Sequence, residues 1–194
     1  MANELRYRTV AILATDGVEQ VELEQPREAI ERAGAKTVLL SLKTGEIQAM
    51  NGDIDPGDTF AVDGAIADAS PGDYDGLLLP GGVANPDNLR QDEHVIAFVQ
   101  EVARSGKPIA AICHAPWTLV EADLVRGRTL TSFPSIRTDI VNAGGEWVDE
   151  EVVVDQGLVT SRNPGDLPAF SAKAVEEFAE GAHAVADAGA TAGG

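Results

Sequence analysis

Residues 107–117 read Lys107-Pro108-Ile109-Ala110-Ala111-Ile112-Cys113-His114-Ala115-Pro116-Trp117. The apolar run at 108–112 predicts a buried strand, which must then turn abruptly into a helix. Cys113, the only cysteine of the chain, lies at that turn. A thiol at a helix N-terminus is close to unpaired N–H groups and to the positive end of the helix dipole, and both favour thiolate over thiol. The stretch therefore predicts a nucleophile at the end of a strand.

Strand-like and helix-like segments alternate on both sides of this stretch. That alternation is typical of an α/β fold with a mostly parallel sheet and helices on both faces. A region rich in Gly, Asp and Pro, at residues 43–64, predicts a small hairpin excursion. The predicted strands are 8–14, 36–42, 75–80, 108–112, 151–154 and 158–161. The predicted helices are 18–33, 92–105, one after residue 116, 135–143 and one from residue 167.

The length of 194 residues fits one domain, predicted over residues 1–187, with a small, glycine-rich flexible tail at 188–194. Hydrophobic residues make up 44% of the chain, but no apolar run approaches the roughly 20 residues that span a bilayer. The first residues lack the apolar core of a signal peptide, and a single cysteine cannot form an internal disulfide. We therefore expect a cytoplasmic protein with no membrane partner.

The charge of the chain disfavours nucleic acid as a partner. The formal net charge is −18, from 32 Asp and Glu against 14 Lys and Arg. Attraction to nucleic acid comes from basic residues that neutralise phosphates. No His and Cys pair has the spacing of metal ligands, so the sequence predicts no metal site, and it predicts no cofactor.

Three predicted strands end in residues suited to a binding site. Glu19 and Glu22 follow the first strand, Gly81 and Gly82 follow the strand at 75–80, and Cys113 with His114 follows the strand at 108–112. Ligands of open α/β sheets bind beyond the carboxyl ends of the strands. A lone cysteine is more often a small buried hydrophobe than a nucleophile, but this convergence favours the nucleophile.

The glutamates of the first predicted helix allow two interpretations. In so acidic a chain most of them belong on a solvated face, which suits Glu19, Glu24 and Glu28. Glu22 precedes Pro26 by four residues, and because proline lacks an N–H, the helix is weakened there. A carboxyl near such a bend can point inward, so Glu22 is the candidate for a functional carboxyl, with a solvated face as the alternative.

His114 follows Cys113 directly, but adjacency does not make it a base for the thiol. Consecutive residues of a helix point about 100° apart, so the backbone N–H is the contribution expected from His114. Its side chain could work if a carboxylate orients it. Asp87, in Pro86-Asp87-Asn88, is the candidate carboxylate, with an ordinary turn or capping residue as the alternative.

Four stretches together resemble the PfpI family of the DJ/PfpI superfamily, most closely its general stress protein branch. The resemblance covers about residues 8 to 180. It implies a flavodoxin-like three-layer sandwich of the class I glutamine amidotransferase-like type, and a homodimer or a hexamer built from dimers. The stretches are Leu79-Pro80-Gly81-Gly82, residues 105–114, Val152-Val153-Val154-Asp155 and residues 158–170.

The resemblance also implies roles for individual residues. Cys113 matches the nucleophile of the family, and Glu22 matches the carboxyl that hydrogen-bonds to the thiol. Gly82 and His114 match the positions whose backbone N–H groups form the oxyanion hole. In peptidase-like members the histidine pairs with an acidic residue of a neighbouring subunit. Asp87 is the nearest match to that residue, although its spacing is one residue longer than in some relatives.

The activities implied are those of a cysteine-dependent stress enzyme that acts on small reactive carbonyls or their adducts. As a glyoxalase or deglycase it would convert methylglyoxal to lactate without a cofactor, with Glu22 moving protons. One alternative is an intracellular cysteine peptidase, which would depend on His114 to protonate the leaving amine. Another is a non-enzymatic redox sensor or chaperone, in which Cys113 is oxidised to a sulfinic acid.

Overall fold

The computed structural model describes residues 4–183, so the tail predicted at 188–194 lies outside the described residues. The strands are β1 (Thr9–Leu13), β2 (Val18–Glu19), β3 (Lys36–Ser41), β4 (Gly45–Asn51), β5 (Asp55–Val62), β6 (Gly64–Ala65), β7 (Gly76–Leu79), β8 (Ile109–Ile112), β9 (Thr129–Leu130), β10 (Glu146–Trp147), β11 (Val152–Asp155) and β12 (Leu158–Ser161). The helices are α1 (Gln20–Arg32), α2 (Ala84–Leu89), α3 (Glu93–Arg104), α4 (Pro116–Glu121), α5 (Arg137–Asn142) and α6 (Leu167–Glu180).

Seven strands form the central sheet in the order β11-β12-β8-β7-β1-β3-β6. All neighbouring pairs are parallel except β11 and β12. The chain runs from β1 outward to β3, then returns to β7 on the other side of β1. The order in which strands are added to the sheet therefore reverses between β1 and β7. Ligands of such folds bind at the carboxyl ends of the strands beside this point. The predicted flavodoxin-like α/β sandwich is confirmed.

The two faces of the sheet carry separate hydrophobic layers. Val10 and Ile12 of β1 face the layer formed with α1 and α6, whereas Ala11 and Leu13 face the layer formed with α3, α4 and α5. Because helices cover both faces, a central strand such as β7 is buried at every residue. No helix within residues 4–183 is long and apolar enough to cross a membrane.

The hairpin predicted at residues 43–64 is present as the antiparallel pair β4 and β5. Strand β2 pairs with β4, so the predicted helix at 18–33 begins two residues later, at Gln20. The short helix α2 and the small pair β9 and β10 were not predicted, since each has too few residues to show a period. Pairing with β2 holds the hairpin beside the carboxyl end of β1.

Gly76 provides a test of how the sheet packs against α6. A Cβ at Gly76 would lie 2.6 Å from Cδ1 of Phe178, whereas one at Gly64 would lie 3.4 Å from Leu40. We expect Gly76→Ala to lower the free energy of unfolding by about 1–3 kcal/mol, because overpacking forces the aromatic ring and the helix to move. Gly64→Ala, the matched control, should stay within about 0.5 kcal/mol of wild type. Urea unfolding measures both, and equal stabilities would contradict this packing.

Candidate active site

Cys113 occupies a strained turn between β8 and α4. Its φ of 64° is in the left-handed region, which residues other than glycine rarely adopt. Two backbone hydrogen bonds hold the turn: Cys113 N–H donates to Ser161 O at 3.1 Å, and Phe133 N–H donates to Cys113 O at 2.8 Å. The residue is only 6% exposed. The fold thus fixes the sulfur in a position with little exposure to solvent.

Two backbone N–H groups converge on the sulfur. The N–H groups of Gly82 and His114 both donate to the Cys113 side chain, and each acts to lower the pKa of its thiol. Gly82 has a φ of 82°, and a Cβ there would lie 2.5 Å from the carbonyl oxygen of Gly17. The position therefore requires glycine. The structure brings together the two donors that the resemblance assigned to the oxyanion hole.

Glu22 projects from the first turn of α1 and is fully buried. Its Oε2 accepts a hydrogen bond from Gly81 N–H at 3.0 Å. The carboxyl also hydrogen-bonds to the Cys113 thiol, which raises the pKa of the thiol and lowers that of the carboxyl. Its other oxygen, Oε1, has no further well-formed hydrogen bond within the described part of the chain. A buried carboxyl with so few donors is stable when it keeps its proton.

Burial raises the pKa of Glu22 to about 8. The negative charges of Glu19 and Asp53 add to this effect, whereas the hydrogen bond from Gly81 opposes it. Glu22 is therefore uncharged at neutral pH.

The prediction that Glu19 lies on a solvated face is wrong. Glu19 is 9% exposed, because its carboxylate accepts the Gly52 N–H at 2.9 Å.

The tip of the β4–β5 hairpin lies over these residues. Besides the contact between Gly52 and Glu19, Asp53 Oδ1 accepts a hydrogen bond from Val83 N–H at 2.7 Å. Beneath it, the buried Asn85 accepts from Thr15 N–H at 2.7 Å and donates to Pro80 O at 2.9 Å. Asn85 thereby ties the loop after β1 to the loop after β7. Sequence reasoning missed both roles, because each depends on a partner 30 or 70 residues away.

The His114 side chain lies against the thiol. Its Nδ1 is 3.2 Å from Cys113 Sγ, and its Nε2 is 3.0 Å from Ser135 Oγ. The 100° separation of neighbouring side chains holds only inside a helix, whereas α4 begins at Pro116 and Cys113 lies in a left-handed turn before it. Burial lowers the pKa of His114, so the imidazole is neutral at neutral pH. The histidine is placed as a base as well as a backbone donor.

Asp87 does not contact His114 within the described residues of the protomer. Its Oδ1 instead accepts from Arg90, at 2.6 Å from Nη2 and 3.0 Å from Nε. The Arg90 guanidinium in turn lies over the Trp117 ring, 4.6 Å from its centroid. Within one chain Asp87 therefore holds Arg90, and Ser135 occupies the place next to His114 that a carboxylate was expected to fill. Contact with His114 of a second subunit stays a prediction.

The expected lowering of the Cys113 pKa by a helix N-terminus is outweighed in the structure. Burial raises the pKa of the thiol above its ordinary value, and the charge of Glu22, when ionised, raises it further. The backbone donors act in the opposite direction but are the smaller effect, and burial of the thiol is not visible in the sequence. Cys113 thus rests as a thiol beside a neutral base, His114, and a protonated acid, Glu22.

A separate group of residues could hold a metal ion. Within residues 4–183, Glu177, Glu180 and His183 are the one group of three whose candidate ligand atoms lie within 4.8 Å of one another. His183 N–H donates to Gly106 O at 2.8 Å, just before β8 begins. The group therefore lies at the amino end of the sheet, opposite Cys113, and takes no part in this site.

The fold and these residues define a class of protein: an α/β sandwich with a cysteine nucleophile candidate at the carboxyl edge of its sheet, beside a buried carboxyl and a histidine. The chain belongs to the DJ-1/PfpI family, whose family model matches residues 8–177. The resemblance inferred from the sequence is confirmed.

Two relatives and one solved structure illustrate the similarity. Protein/nucleic acid deglycase 2 of Escherichia coli is 40% identical over 170 residues, which cover 87% of this chain and 96% of that protein. A Bacillus subtilis protein named "Putative cysteine protease YraA" is 40% identical over 165 residues, covering 84% and 94%. A two-domain Anabaena variabilis protein, with DJ-1/ThiJ/PfpI-like and ferritin-like domains, matches with a TM-score of 0.83 and 36% identity. That match covers 88% of this chain but 48% of the larger one.

The protonated state of Glu22 predicts how stability depends on pH. Between pH 4.5 and about 8 the folded protein keeps the Glu22 proton that the unfolded chain has lost. The contribution of Glu22 to the free energy of unfolding is therefore fully present below pH 4.5, and it is lost as the pH rises from 4.5 through about 8. At about 1.4 kcal/mol per pKa unit, the loss is of the order of a few kcal/mol.

Urea unfolding of wild type and Glu22→Gln across this range measures the effect. The free energy of unfolding of wild type should fall relative to the variant as the pH rises from 4.5 to 8. Glu28→Gln, an exposed change on the same helix, should follow the wild-type curve. Parallel curves for wild type and Glu22→Gln would show that Glu22 is ionised throughout and would contradict the assignment.

Proposed function

We propose that this protein is a cysteine-dependent enzyme that converts small reactive carbonyls, such as methylglyoxal, into hydroxy acids. The observation that carries the proposal is Glu22, fully buried and protonated beside a thiol that is itself only 6% exposed. A thiol with so little exposed surface suits a small aldehyde better than a polypeptide. The name of the Escherichia coli relative, a deglycase, supports chemistry on carbonyl adducts.

The first step uses the raised pKa of Glu22 and the lowered pKa of His114, the two side chains next to the thiol. His114, neutral because burial lowers its pKa, takes the thiol proton on Nδ1 as sulfur adds to the aldehyde carbon. The N–H groups of Gly82 and His114 hold the developing oxyanion, and Glu22 gives it a proton. The product is a neutral hemithioacetal on Cys113.

The second step moves two protons within the hemithioacetal. The Glu22 carboxylate removes the hydrogen of the former aldehyde carbon as a proton and delivers it to the neighbouring carbon, while the hydroxyl proton passes to the neighbouring oxygen. This converts the hemithioacetal into a thioester of lactate and leaves Glu22 as a carboxylate. Water then attacks the thioester: Glu22 takes a proton from the water and is protonated again, and His114 returns its proton to the leaving sulfur. Methylglyoxal and one water thus yield one lactate and one proton, which passes to solvent. These steps need no cofactor.

A PfpI-type peptidase is the second candidate function, and the contact between His114 Nδ1 and Cys113 Sγ favours it. Peptide cleavage requires an acid for the leaving amine, and a protonated His114 would supply one. The "Putative cysteine protease" name of the Bacillus subtilis relative points the same way. The peptidase is the weaker candidate, because a peptide needs an open groove and Cys113 is only 6% exposed.

Turnover of methylglyoxal by single variants tests the proposal. Wild type should produce lactate, and Cys113→Ser should produce none, because the nucleophile is lost. Glu22→Gln should lower kcat by about 100-fold or more, since the amide can neither give nor take the proton. Lactate is measured enzymatically, with Glu28→Gln as the matched control that keeps wild-type activity.

Two results would overturn the proposal. One is a wild-type protein that leaves methylglyoxal unchanged. The other is Cys113→Ser protein with wild-type turnover. Cleavage of peptides that Cys113→Ser and His114→Ala abolish but Glu22→Gln preserves would support the peptidase instead.

A further inference from the structure

The nucleophile has little contact with the water with which its proton must exchange. Cys113 is 6% exposed, His114 is 5% exposed and Glu22 is fully buried. In the proposed function, on which this inference rests, the thiol loses its proton at the start of each turnover and regains it at the end. A route from the sulfur to solvent is therefore required.

Ser135 completes such a route. Cys113 Sγ lies 3.2 Å from His114 Nδ1, and His114 Nε2 lies 3.0 Å from Ser135 Oγ. Ser135 is exposed, so this chain of contacts runs from a buried sulfur to the surface in two steps. Glu22 offers no such route, because it is fully buried and its hydrogen bonds within residues 4–183 lead only to Gly81 and Cys113.

The imidazole is held in the orientation that makes both contacts. The Phe133 ring stacks on it with centroids 4.6 Å apart and planes 23° apart, and the Trp117 ring lies 5.3 Å away on a tilted plane. Phe133 N–H donates to Cys113 O, which ties the segment carrying Ser135 to the cysteine turn. The ring therefore cannot exchange Nδ1 and Nε2 without breaking this packing.

A hydroxyl suits this position better than a carboxylate does. A hydroxyl both accepts and donates a hydrogen bond, so it can receive a proton from Nε2 while releasing its own to water. A carboxylate would stabilise a charged imidazolium, whereas His114 is neutral. Asp87, the carboxylate expected from the sequence, is held by Arg90 within the protomer.

We propose that Ser135 is a positioning residue that keeps the His114 proton on Nε2 and connects it to water, which leaves Nδ1 free to accept the Cys113 proton. As the thiol ionises, its proton passes to Nδ1, and the Nε2 proton passes to Ser135 Oγ, whose own proton goes to water. When the thiol is restored, the same protons move in reverse. Charge and atoms balance at each transfer.

The tautomer of His114 gives a readout that does not depend on turnover. Imidazole 15N NMR of wild type should show Nε2 protonated and Nδ1 unprotonated at neutral pH. Ser135→Ala should give a mixture of tautomers, and Ser135→Thr, which keeps the hydroxyl, should restore the wild-type spectrum. Wild type protonated on Nδ1, or a Ser135→Ala spectrum equal to wild type, would overturn the proposal. A wild-type spectrum with Nδ1 protonated would contradict the proposal even if a variant failed to fold.

Alkylation of Cys113 by iodoacetamide gives a second readout. Ser135→Ala should slow it roughly five- to tenfold, the factor that corresponds to one hydrogen bond of ordinary net strength. Ser70→Ala, a change at an exposed serine before β7, is the matched control and should react at the wild-type rate. A Ser135→Ala rate equal to wild type would overturn the proposal. Absence of methylglyoxal turnover with the expected spectra and rates would count against the proposed function alone.

Discussion

One constraint governs the site: the carboxyl of Glu22 is sealed from water beside the Cys113 thiol. Burial keeps its proton in place to a pH of about 8, and burial of the neighbouring imidazole lowers the pKa of His114. At neutral pH the Glu22 carboxyl is therefore protonated and the His114 imidazole is unprotonated, so the thiol lies between an acid and a base. A pair of groups whose environments separate their pKa values in this way is a recurrent basis of acid and base catalysis at neutral pH.

The fold produces this arrangement by ending three neighbouring strands at one edge. The segments that follow β1, β7 and β8 bring Glu22, Gly82 and Cys113 together, although these residues come from distant parts of the chain. Asn85 joins the first two loops, and the Phe133 N–H fixes the third. The β4–β5 hairpin then covers the edge. The strands are held rigidly in a sheet whose two faces are covered by helices. The side chains that follow their ends therefore keep fixed positions relative to one another.

The sequence predicted the parts of this site that depend on local pattern. Alternation of apolar segments predicted the sheet, and the turn at Cys113 with its family resemblance predicted Glu22, Gly82 and the His114 backbone. What it could not predict depends on dihedral angles and on distant partners. The φ of Cys113 directs the His114 side chain toward the thiol, and the contact with Ser135 joins segments 21 residues apart. Burial of Glu19 depends likewise on the hairpin, through Gly52.

The protonation of Glu22 is the central claim, and infrared spectroscopy of the carboxyl group tests it most directly. The difference spectrum between wild type and Glu22→Gln isolates the C=O band of the protonated acid, which is followed as the pH rises. The band should persist at neutral pH and disappear with a midpoint of about 8. A band that disappears with a midpoint near 4.5, the ordinary value of a glutamate, would contradict it.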